Sequence, residues 1–165
     1  MNLGIVILNW NGEELLSQFL PSLIKFTPIK HKIYIIDNGS NDNSIGFVEN
    51  NYKRIKIIKL DTNYGYAKGY NIGLKKINDE ILCLLNNDVE VTENWIDNIL
   101  KQFDLEPKTA VIQPKLKNYY EKSEFDYAGA AGGYLDKYGY PYCDGRNYKI
   151  IEKDLGQYDK IKDIF

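Results

Sequence analysis

Two amides and two carboxylates, Asn86, Asn87, Asp88 and Glu90, follow directly on the unbroken apolar run Ile81–Leu85. Divalent Mg2+ and Mn2+ prefer oxygen ligands and are usually held by one or two carboxylates plus phosphate oxygens. Asp88 has the right chemistry to hold such an ion. Comparable polar clusters stand after two other apolar runs. Asn9 and Asn11 follow Leu3–Leu8, and Asp37 and Asn38 follow Ile33–Ile36. Asn63 and Gly65 open a further helical stretch, with Lys68 in its first turn. Such a set suits a ligand rich in N–H and hydroxyl donors that also carries phosphate. Asp37 would accept from a base N–H or a ribose hydroxyl, and Lys68 would meet phosphate.

The same residue types are also ordinary turn and N-cap formers after strands. Asn9 as a helix cap, Asp42 as an N-cap or solvated carboxylate, and Lys68 as a solvent-facing lysine therefore stay open. His31, the lone histidine, lies between Lys30 and Lys32 and reads as a surface residue without a catalytic role. Trp10 reads as a packing or rim residue and Trp95 as core. Gly65-Tyr66-Ala67-Lys68-Gly69 is neither a dinucleotide fingerprint nor a P-loop. The run Asp37–Asp42 lacks the distal glutamate of a calcium loop. No serine, cysteine or histidine arrangement suggests a nucleophile.

The elements that must position these residues alternate between strand and helix. Strands are expected at 3–8, 33–36, 55–60, 81–85 and, briefly, 110–113. Helices are expected from Glu13 to Phe26, Ser44 to Asn50, Tyr66 to Ile77 and Glu93 to Phe103, with Pro21 a possible kink or break in the first. The uninterrupted run Ile81–Leu85 predicts a central strand buried on both faces, and the lysines of the 55–60 strand place that strand nearer an edge. Gly69 and Gly73 within a helix suggest close approach to a neighbouring backbone or a ligand. The fold class is α/β, a Rossmann-like, mainly parallel sheet with helices on both faces. In open sheets of this kind ligands sit beyond the carboxyl ends of the strands, where all the polar clusters fall. After Lys115 the alternation fails, and the Tyr- and Gly-rich residues 119–148 predict loop and short hairpins. The tyrosines there read as packing, with stacking against a sugar left open.

The chain has 165 residues, 44% of them hydrophobic and 27% charged, which excludes wholesale disorder. A formal charge of −2 with mixed signs argues against nucleic acid as a partner. The two cysteines, Cys83 and Cys143, form neither a disulfide framework nor a zinc spacing. No apolar stretch reaches the ~20 residues of a membrane span. No basic leader precedes the first strand, so the expected compartment is the cytoplasm, with peripheral attachment at the inner face of the membrane left open.

Four stretches carry a resemblance. They are Val6-Ile7-Leu8-Asn9-Trp10-Asn11-Gly12, Ile35-Ile36-Asp37-Asn38-Gly39-Ser40-Asn41-Asp42, Asn63-Tyr64-Gly65-Tyr66-Ala67 running to Asn71-Ile72-Gly73, and Leu84-Leu85-Asn86-Asn87-Asp88-Val89. In order and spacing they resemble family 2 glycosyltransferases of the GT-A fold, and among these the rhamnosyltransferase-like enzymes of surface polysaccharide synthesis. Ala128-Gly129 and the later glycines look like that family's variable segment. The resemblance implies that Asp37 binds the nucleotide base and that the backbone at Leu8 and Asn9 lines the base and ribose. It implies that Asn63, Gly65 and Lys68 lie along the nucleotide and diphosphate, with Asn11, Asn38 and Asn87 completing the nucleotide set. Asp88 would be the metal-binding acid of the Asp-X-Asp motif, here Asn86-Asn87-Asp88, with the Asn86 amide oxygen a weak, uncharged ligand for Mg2+ or Mn2+.

The implied reaction is inverting transfer from a UDP- or dTDP-linked sugar to a hydroxyl of a glycan or lipid-linked acceptor. The family's catalytic base lies in a Glu-Asp-type motif that this sequence does not contain, so the base is expected downstream of Phe165. Residues 1–114 would form the nucleotide-sugar-binding α/β domain, and 115–165 an irregular segment of the same domain, cut before the acceptor half. A non-catalytic sugar-nucleotide binding module is an alternative. A sugar-phosphate nucleotidyltransferase is another, disfavoured because Asn9-Trp10-Asn11-Gly12 stands where a Gly-rich, basic loop would be needed.

Overall fold

The structure is a computed structural model that describes residues 1–126, 131–147 and 150–159. Ala128-Gly129, part of the resemblance, lie outside the described residues. The chain divides into two compact units, Met1–Lys101 and Gln102–Phe165.

The first unit is built on four parallel strands, β1 (Leu3–Asn9), β2 (Lys32–Asp37), β3 (Ile55–Lys59) and β4 (Ile81–Leu85), in the order β3-β2-β1-β4. Helices α1 (Glu13–Phe26), α2 (Ser44–Asn51), α3 (Tyr66–Leu74) and α4 (Trp95–Leu105) connect or follow them. β1 and β2 are apolar at consecutive positions because both their faces are covered. Leu3, Ile5 and Ile7 of β1 pack with Leu16, Leu20 and Leu23 of α1 and with Ile96 of α4. Val6, on the other face, packs with Ile36 and with Tyr70 of α3. The helix glycines make close approaches, to side chains rather than to a neighbouring backbone or a ligand. A Cβ on Gly73 would overlap the Ile36 side chain, and one on Gly69 would stand 3.1 Å from both Leu8 and Asn38 side chains. α1 runs through Pro21 as one 14-residue helix.

Several expectations are corrected. β4 is an edge strand of this sheet, hydrogen-bonded to β1 alone among the described residues. Ile81, Cys83 and Leu85 pack on the α1 side, but Leu82 and Leu84 are 39% and 52% exposed. α3 lies against β1 and β2, so the second face of β4 goes without that cover. An unbroken apolar run thus marks one buried and one exposed apolar face here. The 110–113 strand does not form, and Val111 is exposed. So short a segment is held extended only by a ladder partner, and among the described residues it has none. α3 ends at Leu74 rather than Ile77, in two tight turns from Gly73 O to Lys76 N–H and from Leu74 O to Ile77 N–H. His31 is buried, not a surface residue: its Nδ1 accepts the Leu3 N–H at 3.2 Å. It shares the parity of buried Ile33, whereas Lys30 and Lys32 point to solvent.

The second unit, described by itself, contains the expected hairpins. β5 (Ala131–Leu135) pairs with β6 (Pro141–Asp144), and β7 (Arg146–Asn147) with β8 (Ile150–Ile151). Its small core joins Phe125 and Ala131 to Cys143, Ile151 and Tyr158. Lys115 bridges Asp154 at 3.0 Å and Asp159 at 2.5 Å, and Lys117 reaches Asp154 at 3.0 Å. The two lysines hold the Asp154 carboxyl down at about 2.

Candidate functional site

Parallel strands all end at the same edge of a sheet, and here three of those ends are laced together. Asn9 and Asp37 are register partners at the last step of the β1–β2 ladder. The ladder then runs one step further, with Asn38 N–H donating to Asn9 O and Leu60 N–H donating to Asp37 O, each at 2.8 Å.

The amides at this rim are largely spent on structure. Asn9 is fully buried; its Nδ2 donates to Ser40 Oγ at 3.2 Å and Ser44 Oγ at 3.0 Å. Its Oδ1 accepts from Asn87 Nδ2 at 3.4 Å, which draws the β4 tip against the β1 tip. Gly12 packs closely here: a Cβ would overlap Asn9 Oδ1 and stand 2.6 Å from Asn87 Nδ2, so a side chain would displace this amide pair. Asn38 Nδ2 donates to Asn63 Oδ1 at 2.9 Å and Gly65 O at 3.2 Å, while its Oδ1 accepts the Tyr64 N–H at 3.0 Å. Both Asn38 donor hydrogens are therefore occupied, and they tie the β2 tip to the loop that opens α3. Asn63 Oδ1 also accepts the Gly65 N–H at 2.8 Å. Asn11, at φ 50°, accepts the Asn41 N–H at 2.7 Å and donates its own N–H to Ser40 Oγ at 3.0 Å. Gly39, at φ +74°, lets the β2 loop pass within 2.6 Å of Thr62 backbone, measured from where a Cβ would stand.

The charges are left differently. Asp37 is buried, and its Oδ1 accepts the Ser40 N–H at 3.1 Å. Its Oδ2 takes no hydrogen bond from the described residues. Asp88 is exposed in the turn after β4 and likewise takes none. Neighbouring Asn86 accepts from Tyr66 Oη at 3.4 Å. Lys68 is exposed, with its ammonium 4.6 Å from the Tyr64 ring centroid. Gly65, the N-cap of α3, gives the helix no side-chain cap, and the amino end of a helix favours an anion. Leu8 contributes backbone: its N–H donates to Tyr70 Oη at 3.3 Å.

Sequence reasoning assigned Asp42 only a capping or solvated role, and capping is what it does. It accepts the Glu13 N–H at 3.0 Å and the Ser44 N–H at 3.1 Å, at the starts of α1 and α2, and the Ser44 hydroxyl at 2.5 Å. Burial pushes its carboxyl up, but the Ser44 hydroxyl and the backbone donors outweigh that and hold it below the ordinary value. Ser40, Ser44, Tyr66 and Tyr70 were missed. Tyr70 Oη also lies 3.4 Å from both Val6 O and Leu85 O, bracing β1 against β4, and burial drives its pKa upward. The available signal was the i, i+4 pair Tyr66/Tyr70, whose rings meet edge to face at 5.0 Å.

The rim therefore offers a carboxylate oxygen to N–H or hydroxyl donors, an exposed carboxylate to a cation, and a helix amino end with a lysine to an anion. Among the described residues no three His, Cys, Asp or Glu side chains cluster as a metal cage.

Known proteins share this arrangement of the chain. The family model described as glycosyl transferase family 2 matches residues 4–161. An uncharacterized glycosyltransferase of Haemophilus influenzae is 26% identical over 156 residues, covering 93% of this chain and 39% of that protein. The poly-beta-1,6-N-acetyl-D-glucosamine synthase of Staphylococcus epidermidis is 25% identical over 113 residues, covering 66% of this chain and 27% of that protein. Among solved structures, S. aureus TarS 1-349 in complex with UDP-GlcNAc matches with a TM-score of 0.60 at 21% identity, over 72% of this chain and 39% of that one. The chain thus spans about two fifths or less of the length of these relatives. With its parallel sheet and flanking helices matching the GT-A fold and the family model covering nearly all its residues, the chain belongs to glycosyl transferase family 2.

Proposed function

We propose that the rim binds a nucleotide diphosphate sugar, UDP- or dTDP-linked, for transfer of the sugar to an acceptor hydroxyl with inversion. The observation that carries this is the pairing of an open carboxylate at Asp37 with an exposed one at Asp88, on strand tips joined through the buried Asn9. Asp37 Oδ2 accepts from the base, and backbone at Leu8 and Asn9 lines the nucleoside. The open amino end of α3, with Asn63, Gly65 and Lys68, faces the diphosphate, where helix N–H groups and an ammonium both favour negative charge. That TarS 1-349 was solved with UDP-GlcNAc supports a uridine nucleotide.

Mg2+ or Mn2+ fits the donor set as an ion brought in with the diphosphate. Asp88 would supply one carboxylate and Asn86 an amide oxygen, leaving the remaining positions to phosphate oxygens and water. When bound, the ion would offset charge on the leaving diphosphate. In the transfer, the acceptor oxygen forms a bond to the anomeric carbon as the bond from that carbon to the diphosphate oxygen breaks. The acceptor proton goes to a carboxylate base, assigned to the part of the relatives that this chain does not span. Surface polysaccharide synthesis is the setting favoured by the rhamnosyltransferase-like motifs and by the polysaccharide synthase among the relatives. A cytoplasmic location goes with it; among the described residues no helix is long and apolar enough to cross a membrane.

Isothermal titration with UDP, dTDP, GDP and ADP, each with and without Mn2+, tests the proposal. Heat is expected with UDP or dTDP, and more of it with the metal present. Silence from all four nucleotides in both conditions would reject the site.

A further inference from the structure

One cavity lies away from the rim, at the edge where the strands begin. α1 follows the tip of β1 and ends at Phe26, and Thr27 and Pro28 carry the chain on toward β2. These three residues line the cavity together with Glu93, Ile96 and Asp97 from around the start of α4. Its volume is about 230 Å3, below the roughly 300 Å3 at which sites for drug-sized ligands begin, so it fits a small molecule. The backbone on both sides is held by bonds that leave these side chains out. Thr27 O accepts from both terminal nitrogens of Arg54, each at 3.1 Å, and Pro28 O accepts the His31 N–H at 3.0 Å. On the α4 side, Asn98 N–H donates to Asn94 O at 3.3 Å, with Asn94 at φ 60°.

The polar side chains of the lining are left unmatched. Thr27 is 3% exposed, and its Oγ1 has no hydrogen-bond partner among the described residues. Buried polar atoms are nearly always paired, so an exception calls for an explanation. The Glu93 and Asp97 carboxylates likewise take no hydrogen bond or ion pair from the described residues. Carboxylates at the amino end of a helix also suit its dipole. The dipole makes no demand, however, for a buried threonine without a partner in the same lining.

The chemistry of the lining selects its occupant. Lys25, the lining's cation, stands over the Phe26 ring at 4.8 Å from the centroid, so that ring face already attracts an ammonium. Two carboxylates against one ammonium disfavour an anion. Mg2+ demands a near-octahedral set of oxygens and gains nothing from Phe26, Pro28 and Ile96. An ammonium on an alkyl chain matches both kinds of wall, since it has three N–H donors and an apolar stem. We propose that this cavity binds a primary alkylammonium group, its three donors shared among Glu93, Asp97 and Thr27 Oγ1, and its methylenes resting on Phe26, Pro28 and Ile96. The group belongs to a dissolved amine or to a lysine side chain of another protein. The site shares no residue with the rim and does not rest on the transferase reading.

Amide chemical-shift titration of the 165-residue protein provides the test, with n-butylammonium, 1,4-diaminobutane, Nα-acetyl-lysine amide, n-butanol and Mg2+ as probes. Saturable shifts at Thr27, Asn94 and Asp97 are expected with the ammonium probes and not with n-butanol. Tighter binding of the two simple amines assigns the site to a dissolved amine, and tighter binding of the lysine amide assigns it to a protein lysine. Asp97→Asn should weaken ammonium binding about fivefold and Thr27→Val about threefold, the range of single hydrogen bonds with and without charge. Thr27→Val deletes a hydroxyl that has no partner, so it should melt no lower than wild type, and its weaker binding is then not loss of the fold. No saturable shift with any ammonium probe, equal shifts with n-butanol, tighter binding of Mg2+ at the same amides, or full ammonium affinity in either variant overturns the proposal.

Discussion

The two edges of the sheet treat their buried carboxylates differently. At the edge where the strands begin, a buried carboxylate is ion-paired and a guanidinium is bound to backbone carbonyls. The Asp79 carboxylate is almost wholly buried and accepts from Lys32 Nζ and Tyr34 Oη, each at 2.6 Å. Arg54 donates to Thr27 O at 3.1 Å through both of its terminal nitrogens. At the edge where the strands end, Lys59 pairs with Glu49 at 2.8 Å, the amides are consumed internally, and among the described residues Asp37 Oδ2, Asp88 and Lys68 have no carboxylate–cation partner. The first edge is organised for stability. At the second, neutral hydrogen bonds fix the backbone and leave charge available, which is how a site for a charged ligand is pre-formed.

The sharpest way to break this contrast is to remove a charge from the paired edge. Asp79→Ala leaves the Tyr34 hydroxyl and the Lys32 ammonium unmatched and should cost about 2–3 kcal/mol of stability, read from the urea midpoint, with nucleotide affinity unchanged. The Tyr34 hydroxyl, pushed up to about 12 by burial and by its bond to Asp79, should then titrate earlier. A drop in nucleotide affinity larger than the stability loss explains would dissolve the distinction between the edges.

A smaller effect comes from His31. Burial, with help from Lys30, holds its imidazole below the ordinary value of 6.5, against the pull of Asp97. The unfolded chain therefore takes up the proton first as pH falls, and stability is lost progressively below about pH 6.5. His31→Asn, which keeps an acceptor for the Leu3 N–H but does not titrate, should flatten the stability profile between pH 7 and 5. An unchanged slope would show that the histidine is not its source. The smallest effect is expected at the open edge. Lys68→Ala should weaken nucleotide binding about two- to threefold at low salt, and the difference should shrink as salt screens it. A loss insensitive to salt would point to lost packing on Tyr64 instead.

The sheet and its polar rim were legible because periodicity and chain direction are local signals. β1 and β2 read as short apolar strands ending in polar residues and are, and the lysines of β3 marked an edge. β4 misled because Leu82 and Leu84 are apolar yet face away from the helices, which composition cannot distinguish from burial. His31 misled because its flanking lysines occupy the exposed parity of an alternating segment. At the site, Asp37 and Asp88 were identifiable as polar strand tips. That Asn9 and Asn38 are spent on internal bonds was not, since their partners Ser44 and Asn63 lie 35 and 25 residues away in sequence. Only the tertiary fold brings them together.

The central claim is that two carboxylates without a cation partner among the described residues, Asp37 and Asp88, divide one ligand between them. Titrating UDP into wild type, Asp37→Ala and Asp88→Ala, each with and without Mn2+, tests it directly. Asp37→Ala should weaken binding about tenfold in both conditions, the size of a lost charged hydrogen bond. Asp88→Ala should leave metal-free binding intact and abolish only the gain from Mn2+. Equal losses for Asp88→Ala with and without the metal, or full affinity in Asp37→Ala, would contradict the account.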